Sequence, residues 1–188
     1  MANYSESKGT IVVRAESKET LENFIYLHIL VNKELSCFTH FDIFENLYLN
    51  DDELTFDNVT QKLDIHKNTV LNLFEVVLDI KGTGRYNYTN TIQDMFLELF
   101  DEAVFDVENN PVIGNLRDEL KNEYFELLFD ITDFEGGYGI LYQGEYALIR
   151  RDQEVIYEIC AEYDYDCTDE NIEKFEFKGW LWLWILNY

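Results

Sequence analysis

The most constraining feature of this chain is its acidic excess, because 38 Asp and Glu residues face only 14 Lys and Arg residues in a length of 188. The formal net charge at pH 7 is −24, whereas a net charge of about 2 to 8 already keeps a small domain soluble. A larger charge opposes the compact state through self-repulsion. The hydrophobic fraction of 47% and the aromatic fraction of 16% nevertheless argue against intrinsic disorder. We therefore expect a folded core with carboxylates at its surface.

Length and charge distribution indicate how the chain is organised. A chain of 188 residues suits a single compact domain, 1–188. The alternative is a subdivision into a helical and βα part, 1–90, and a strongly acidic α+β part, 91–188. Residues 94–188 contain 24 acidic and 6 basic side chains, whereas residues 1–93 contain 14 and 8. We expect any functional acidic surface in the C-terminal half, because −18 of the net −24 lies there.

The spacing of apolar residues predicts an α+β fold with an N-terminal βα unit, a helical middle and a C-terminal, mostly antiparallel sheet with one amphipathic helix. Residues 10–15 are predicted to form a strand, and a helix then runs to about residue 35 after the N-cap residue Ser17. Alternation and a glycine-rich turn predict a β-hairpin over 123–149. The remaining predicted elements are two helices within 55–80, helices over 91–107, 115–122 and 151–163, and strands over 172–177 and 180–186.

Two of the predicted amphipathic helices contain carboxylates at every fourth position. The first row is Asp94, Glu98, Glu102 and Asp106, and the second is Glu154, Glu158 and Glu162, followed beyond the helix by Asp164 and Asp166. Four residues advance a helix by about 6 Å, and like charges at this spacing destabilise it. No Lys interrupts either row. The rows are either solvated helix faces or a surface that binds a basic partner.

The C-terminal sequence GWLWLWILNY alternates Trp with Leu or Ile, so both faces of the strand predicted there are apolar. A central strand that is covered on both sides explains this pattern. The alternative is a dimer or partner interface built on the tryptophans. A homodimer is thus one hypothesis for the oligomeric state.

The segment Val59–Val70, VTQKLDIHKNTV, resembles the helix-turn-helix of bacterial DNA-binding regulators. Asp64 occupies the turn position where such proteins usually have Gly. Residues 51–79 contain seven acidic side chains and two lysines, although phosphate contacts dominate affinity for DNA. We therefore expect a helix-turn-helix-like scaffold rather than a DNA-binding element. The apolar positions of the pattern are filled by Val59, Leu63, Ile65 and Val70.

No motif in the sequence predicts catalysis. The three histidines do not show a metal-ligand spacing such as HxxxH. Cys160 and Cys167 are too far apart for a CxxC motif. The acidic loop 164–170 lacks the Gly and the Glu that an EF-hand requires at positions six and twelve. We predict that the protein is not an enzyme, binds no cofactor and has no metal site.

The beginning of the chain, MANYSESKGT, lacks the basic start and apolar stretch of a secretory signal. The longest apolar run, GWLWLWIL, is too short to span a bilayer. An odd count of three cysteines fits reduced thiols in a cytosol. We therefore expect a cytoplasmic protein without a membrane partner.

The amount of charge can be compared with that of DNA. Because a duplex has one negative charge per roughly 1.7 Å of axis, 24 charges correspond to about 41 Å of duplex. A compact domain of this length has a diameter of about 40 Å. In size, charge and lack of a catalytic motif, the chain resembles the DNA-mimic inhibitors of phages and mobile elements, including anti-restriction and some anti-CRISPR proteins. This resemblance of composition implies an inhibitor that binds the basic nucleic-acid-binding surface of a nuclease or CRISPR effector.

Such an inhibitor would not bind nucleic acid directly. Its two carboxylate rows would contact the partner, and neighbouring aromatic side chains would add specificity. The aromatic candidates are Phe96, Phe105, Tyr163 and Tyr165. Other hypotheses are an acidic protein-interaction module of chaperone or immunity type, a helix-turn-helix-like regulator, and an acidic protein of a high-salt cytosol.

Overall fold

The computed structural model describes residues 5–35, 40–42, 54–84, 110–135, 139–151 and 154–175. These residues form seven strands and four helices. In chain order the elements are β1 (Ser5–Ala15), α1 (Lys18–Leu35), β2 (His40–Asp42), α2 (Phe56–Thr60), β3 (His66–Asn68), β4 (Leu73–Gly84), α3 (Pro111–Leu120), β5 (Phe125–Glu135), β6 (Ile140–Arg151), β7 (Glu154–Tyr165) and α4 (Asp169–Lys174).

All seven strands belong to one sheet with antiparallel pairing. Six of the strands follow the order β2-β4-β1-β5-β6-β7. The seventh, β3, also pairs with β4. The first strand, β1, is central, since it pairs with β4 on one side and with β5 on the other. Strands from the beginning, the middle and the C-terminal half of the chain therefore share a single sheet.

One face of the sheet is covered by α1 and α3, and we call it the helical face. Alternate residues of β1 lie here beside alternate residues of β5, as expected for strands that bury one side. The Phe24 ring of α1 packs on Phe125 of β5, with centroids 4.5 Å apart. The buried residues of this core include Ile11, Val13, Ala15, Leu21, Phe24, Ile25, Ile113, Leu116, Leu120, Phe125, Leu127 and Phe129.

Local sequence explains where the two covering helices begin. The Ser17 side chain accepts a hydrogen bond from the Thr20 backbone N–H at 3.0 Å, which caps α1. Asn110 caps α3 in the same way, and Pro111 occupies its first turn. The buried residues of α1 recur at intervals of three and four, which places them on one stripe.

The α+β class, the N-terminal βα unit and the C-terminal hairpin are confirmed. The hairpin pairs Phe125 with Arg150 at its open end and Glu135 with Ile140 near its turn. Gly139 has a φ of 65°, in the left-handed region that favours glycine. The short helix predicted over 115–122 also exists, as α3, although it begins earlier.

The predicted helical middle is wrong in its second half. Residues expected to form the second helix of the helix-turn-helix-like pair are β3 and β4, so the resemblance ends after α2. On β4, Val76 and Leu78 are buried beside β1, whereas Val77 and Asp79 are exposed on the opposite face. This alternation has the period of a strand. The pairing of β4 with β1 therefore makes this segment a strand rather than the predicted helix.

The C-terminal region requires two further corrections. An amphipathic helix was predicted over 151–163, but residues 154–163 instead form most of β7, which pairs with β6. Residues 172–174, the beginning of a predicted strand, belong to α4, where Ile172 packs on Phe134 and Leu141. The helix predicted over 91–107 and the strand predicted over 180–186 lie outside the described residues.

Candidate functional site

The structure describes five of the nine carboxylates that the sequence assigns to partner binding. All five are exposed. Four of them lie on β7 and the fifth follows it directly, and they are Glu154, Glu158, Glu162, Asp164 and Asp166. The other row, Asp94, Glu98, Glu102 and Asp106, lies outside the described residues and stays a prediction.

A β-bulge shapes β7. Across the β6–β7 pair, Glu145 is opposite Ala161 but Tyr146 is opposite Ile159, so Cys160 is the extra residue. A bulge places two residues of one strand opposite one residue of its partner and reverses the alternation of side chains beyond it. The two halves of β7 therefore present their even-numbered residues to opposite faces of the sheet.

The bulge divides the predicted row of carboxylates. Glu154 and Glu158 precede it and lie on the face away from α1 and α3. Glu162 and Asp164 follow it and lie on the helical face, opposite Gly144 and Tyr142. Residues four apart on a strand are also about 13 Å apart, rather than about 6 Å as on a helix. The second row therefore does not exist as one line of charge.

Glu162 has a local structural partner. The Tyr146 hydroxyl donates a hydrogen bond to Glu162 Oε1 at 3.0 Å. The Tyr146 ring lies over Gly144, where an added Cβ would be 2.2 Å from the ring. Since Tyr146 is only 3% exposed, this hydrogen bond satisfies a buried hydroxyl. Glu162 thus supports the sheet, whereas Glu154 and Glu158 have no ion pair among the described residues.

The face opposite the helical face, which we call the outer face, collects exposed carboxylates from four strands. Asp79 of β4, Asp130 of β5 and Glu145 of β6 fall in one cross-strand row that passes through Thr10 of β1. Glu158 of β7 lies in the adjacent row. We call Asp79, Asp130, Glu145 and Glu158 the outer-face carboxylates. Three of them, Asp79, Asp130 and Glu145, were missed because only the register of strand pairing brings them into one row.

Two outer-face carboxylates directly oppose each other. Asp130 on β5 pairs with Glu145 on β6, and like charges in this position destabilise a sheet. Gln143 Nε2 donates a hydrogen bond to Asp130 Oδ1 at 2.8 Å, but neither carboxylate forms a salt bridge within the described part of the chain. A local arrangement that opposes folding is expected at functional sites more than elsewhere.

One end of the outer face is neutralised by an ion-pair network. Arg14 of β1 donates hydrogen bonds to Glu75 at 2.9 Å and to Glu126 at 3.2 Å. Burial raises the pKa of Glu75, but hydrogen bonds from Arg14, Asn68 and His66 outweigh it and leave that pKa lowered. These carboxylates are held by neighbouring bases, so they are poor candidates for binding a partner.

Apolar side chains are exposed on β4 and on both faces of β7. Val77 and Ile156 are 52% and 47% exposed, and Ile159 and Tyr163 of β7 are 58% and 50% exposed. Apolar and aromatic groups of this kind supply much of the binding energy in protein interfaces. Tyr163 is therefore exposed and its role stays a prediction, whereas Tyr165 is half-buried, with its ring centroid 4.9 Å from that of Phe175. Phe96 and Phe105 lie outside the described residues.

The described residues show no arrangement suited to metal chemistry, since none of their His, Cys, Asp and Glu side chains form a group of three or more able to hold an ion. His28 of α1 is buried beside Phe24, and burial lowers its pKa to about 3. No helix in this part of the chain is long and apolar enough to cross a membrane.

Comparisons with known proteins return no similarity. No protein-family model matches the chain, and no curated protein and no solved structure matches it. The chemistry of the surface is therefore what bears on function, because an α+β fold alone is compatible with many activities.

Proposed function

We propose that this protein is a non-enzymatic acidic inhibitor that binds the basic nucleic-acid-binding surface of a cytoplasmic nuclease or CRISPR effector as a DNA mimic. The observation that supports this proposal is the group of outer-face carboxylates, which are exposed on four strands of one sheet. In this group Asp130 directly opposes Glu145. Binding a basic surface would relieve the repulsion that folding leaves in place.

The spacing of these carboxylates specifies what kind of mimic the sheet can be. The four inter-strand steps from β4 to β7 span about 19 Å, since neighbouring strands lie about 4.8 Å apart. Four carboxylates over this distance correspond to about one charge per 5 Å. A single DNA strand has one charge per about 3.4 Å, and a duplex has one per about 1.7 Å. The outer face therefore resembles one strand's backbone more than a complete duplex.

The net charge of −24 would accelerate association with a basic partner through electrostatic steering. The exposed Val77 and Ile156 lie on the same face as the carboxylates. Contacts with these apolar groups would give the complex specificity that charge alone does not supply. The protein itself should not bind duplex DNA at physiological salt, because its field repels phosphates.

A second candidate function is an acidic interaction module that binds a basic partner without imitating DNA. The exposure of Ile159 favours it, because this side chain lies on the helical face of β7 and not beside the outer-face carboxylates. In this case the partner's DNA would not compete. A helix-turn-helix regulator has less support, because the segment predicted as its second helix forms β3, a turn and the beginning of β4.

The proposal is tested by capture followed by competition. Immobilised protein is exposed to a bacterial lysate, and a captured nuclease or effector is purified and bound to fluorescent duplex DNA. Mimicry predicts competitive release of the DNA, with an inhibitor affinity that falls as salt increases. Release that does not depend on the concentration of DNA would contradict mimicry and favour the acidic interaction module.

Matched variants identify the surface responsible. The triple variant Asp79→Asn, Asp130→Asn, Glu145→Gln should weaken inhibition about tenfold or more, mainly through slower association. The control removes three exposed carboxylates from α1, α2 and α3, by Glu19→Gln, Asp57→Asn and Glu119→Gln. The control should retain wild-type inhibition. Equal effects of the two triples would show that only net charge matters.

A further inference from the structure

Within the described residues, one side of β7 has no neighbouring strand. Among the described strands it pairs only with β6, and it forms the end of the sheet. Side chains from both of its faces are exposed, including Ile156 at 47% and Ile159 at 58%. A second neighbouring strand would shield both. The backbone N–H and C=O groups along this edge therefore have no strand partner among the residues that the structure describes.

The sequence of β7 lacks two of the usual protections of an edge strand. Natural edges are commonly short or contain Lys or Pro, but β7 has 12 residues, EVIYEICAEYDY, with neither. Its charged residues are all acidic. The bulge at Cys160 interrupts it once, which leaves a regular stretch from Glu154 to Ile159. This stretch is long enough to accept another strand.

Charge decides which strand the edge can accept. A second copy of the chain would place the acidic β7 of one molecule beside that of the other, and each molecule has a net charge of −24. Like charges opposite each other destabilise strand pairing, whereas opposite charges stabilise it. The edge thus disfavours its own copy and favours a basic strand.

The regular stretch also specifies a pattern. Glu154 and Glu158 lie on the outer face four residues apart, with Ile156 between them on the same face and Val155 on the other. A complementary antiparallel strand has two bases four residues apart, with apolar residues between them. We propose that β7 binds such an extended basic segment of a partner by β-strand addition. This inference goes beyond DNA mimicry, because the partner's strand is held by backbone groups at the edge of the sheet, although Glu158 belongs to both surfaces.

The probe is a synthetic peptide, KVTVKVTVK, in which lysines recur at every fourth position. Its binding to the full-length ¹⁵N-labelled protein is followed by NMR and amide hydrogen exchange. Strand addition should slow exchange at alternate β7 amides at least tenfold, because those N–H groups gain hydrogen bonds. A peptide of the same charge, N-methylated at alternate residues, should lose this protection and most of the affinity. Equal binding of the two peptides would overturn the proposal, since simple charge attraction does not need peptide N–H groups.

Variants separate the edge from the outer face. Glu154→Gln with Glu158→Gln should weaken peptide binding about tenfold, through the loss of two cross-strand charge pairs. The control, Asp79→Asn with Asp130→Asn, removes as many charges from distant strands and should leave binding nearly unchanged. No peptide binding, or β7 amides already protected in a concentration-dependent dimer, would overturn the proposal. A control that loses nuclease inhibition but binds the peptide normally would show that the two proposals stand independently.

Discussion

The strands β1 and β7 have nearly equal lengths of 11 and 12 residues but opposite places in the sheet. β1 lies between β4 and β5, and its residues Ile11, Val13 and Ala15 are at most 1% exposed. β7 lies at an end, and Ile159 is 58% exposed. The comparison shows that position in the sheet, rather than strand formation itself, determines which residues are constrained by folding and which are free for binding.

The two strands should differ most in how much stability is lost when an aspartate is introduced into each. Val13→Asp would bury a carboxylate in the apolar core and should destabilise the protein by about 4 kcal/mol or more. Ile159→Asp adds a charge at an exposed position and should change stability by less than about 1 kcal/mol. Urea unfolding followed by circular dichroism measures both. Similar losses would mean that β7 is packed as tightly as β1.

A smaller effect should follow from enlarging Gly9, at the contact between β1 and β5. A Cβ at this position would lie 1.9 Å from the Asp130 backbone oxygen, so the two strands would have to move apart. Gly9→Ala should destabilise the protein by about 1 to 3 kcal/mol. Thr10→Ala, at the next residue of β1, is the control and should have a much smaller effect. Equal unfolding midpoints for Gly9→Ala and wild type would contradict the close approach.

The buried side of the molecule should also respond to pH. Burial lowers the pKa of His28 from 6.5 to about 3 in the folded state. Between these values the unfolded chain binds a proton that the folded protein excludes, so stability is present above pH 6.5 and is lost as the pH falls. The loss from pH 7 to pH 5 should be about 2 kcal/mol.

The variant His28→Leu provides the comparison for this titration, because Leu is apolar and has no charged form. Its unfolding free energy should depend less on pH than that of wild type, and the difference between the two slopes measures the contribution of His28. Parallel pH profiles would show that the buried imidazole does not control acid stability. The edge variant Glu158→Gln should leave the wild-type slope nearly unchanged.

The smallest effects should distinguish carboxylates that support the fold from those that oppose it. Glu162→Ala removes the acceptor for the Tyr146 hydroxyl and should destabilise the protein by about 1 kcal/mol. Glu145→Gln relieves the repulsion with Asp130 and should stabilise it by a few tenths of a kcal/mol. Thermal unfolding of both variants measures these shifts. If Glu162→Ala stabilised the protein and Glu145→Gln destabilised it, the roles assigned to the two carboxylates would be reversed.

Prediction from sequence succeeded where the spacing of apolar residues was compatible with only one type of secondary structure. The alternation in β1 and β5 and the three-and-four spacing in α1 identified these elements, because each buries a single face. It failed for β7, where Val155, Ile156, Ile159 and Cys160 fit the spacing of a helix. An edge strand needs little burial, so its sequence does not have to alternate, and the bulge at Cys160 disrupts alternation further.

The candidate surface was only partly predictable for the same reason. Glu154 and Glu158 were found because they are close in sequence, but their grouping with Glu162 was wrong, since the bulge turns Glu162 toward Tyr146. Asp79, Asp130 and Glu145 were missed because they become neighbours only through the pairing of β4, β1, β5 and β6. The hairpin of β5 and β6 was predicted, but the register that places Asp130 opposite Glu145 has no signature in local sequence.

The sequence by itself determined the charge, the presence of a core and the α+β class, because these depend on composition and on periodicity within single segments. The tertiary structure alone decided which carboxylates share a face, which of them are neutralised by Arg14, and that β7 lies at an edge. These properties arise from pairing between distant strands, and the energy of that pairing outweighs local conformational preference.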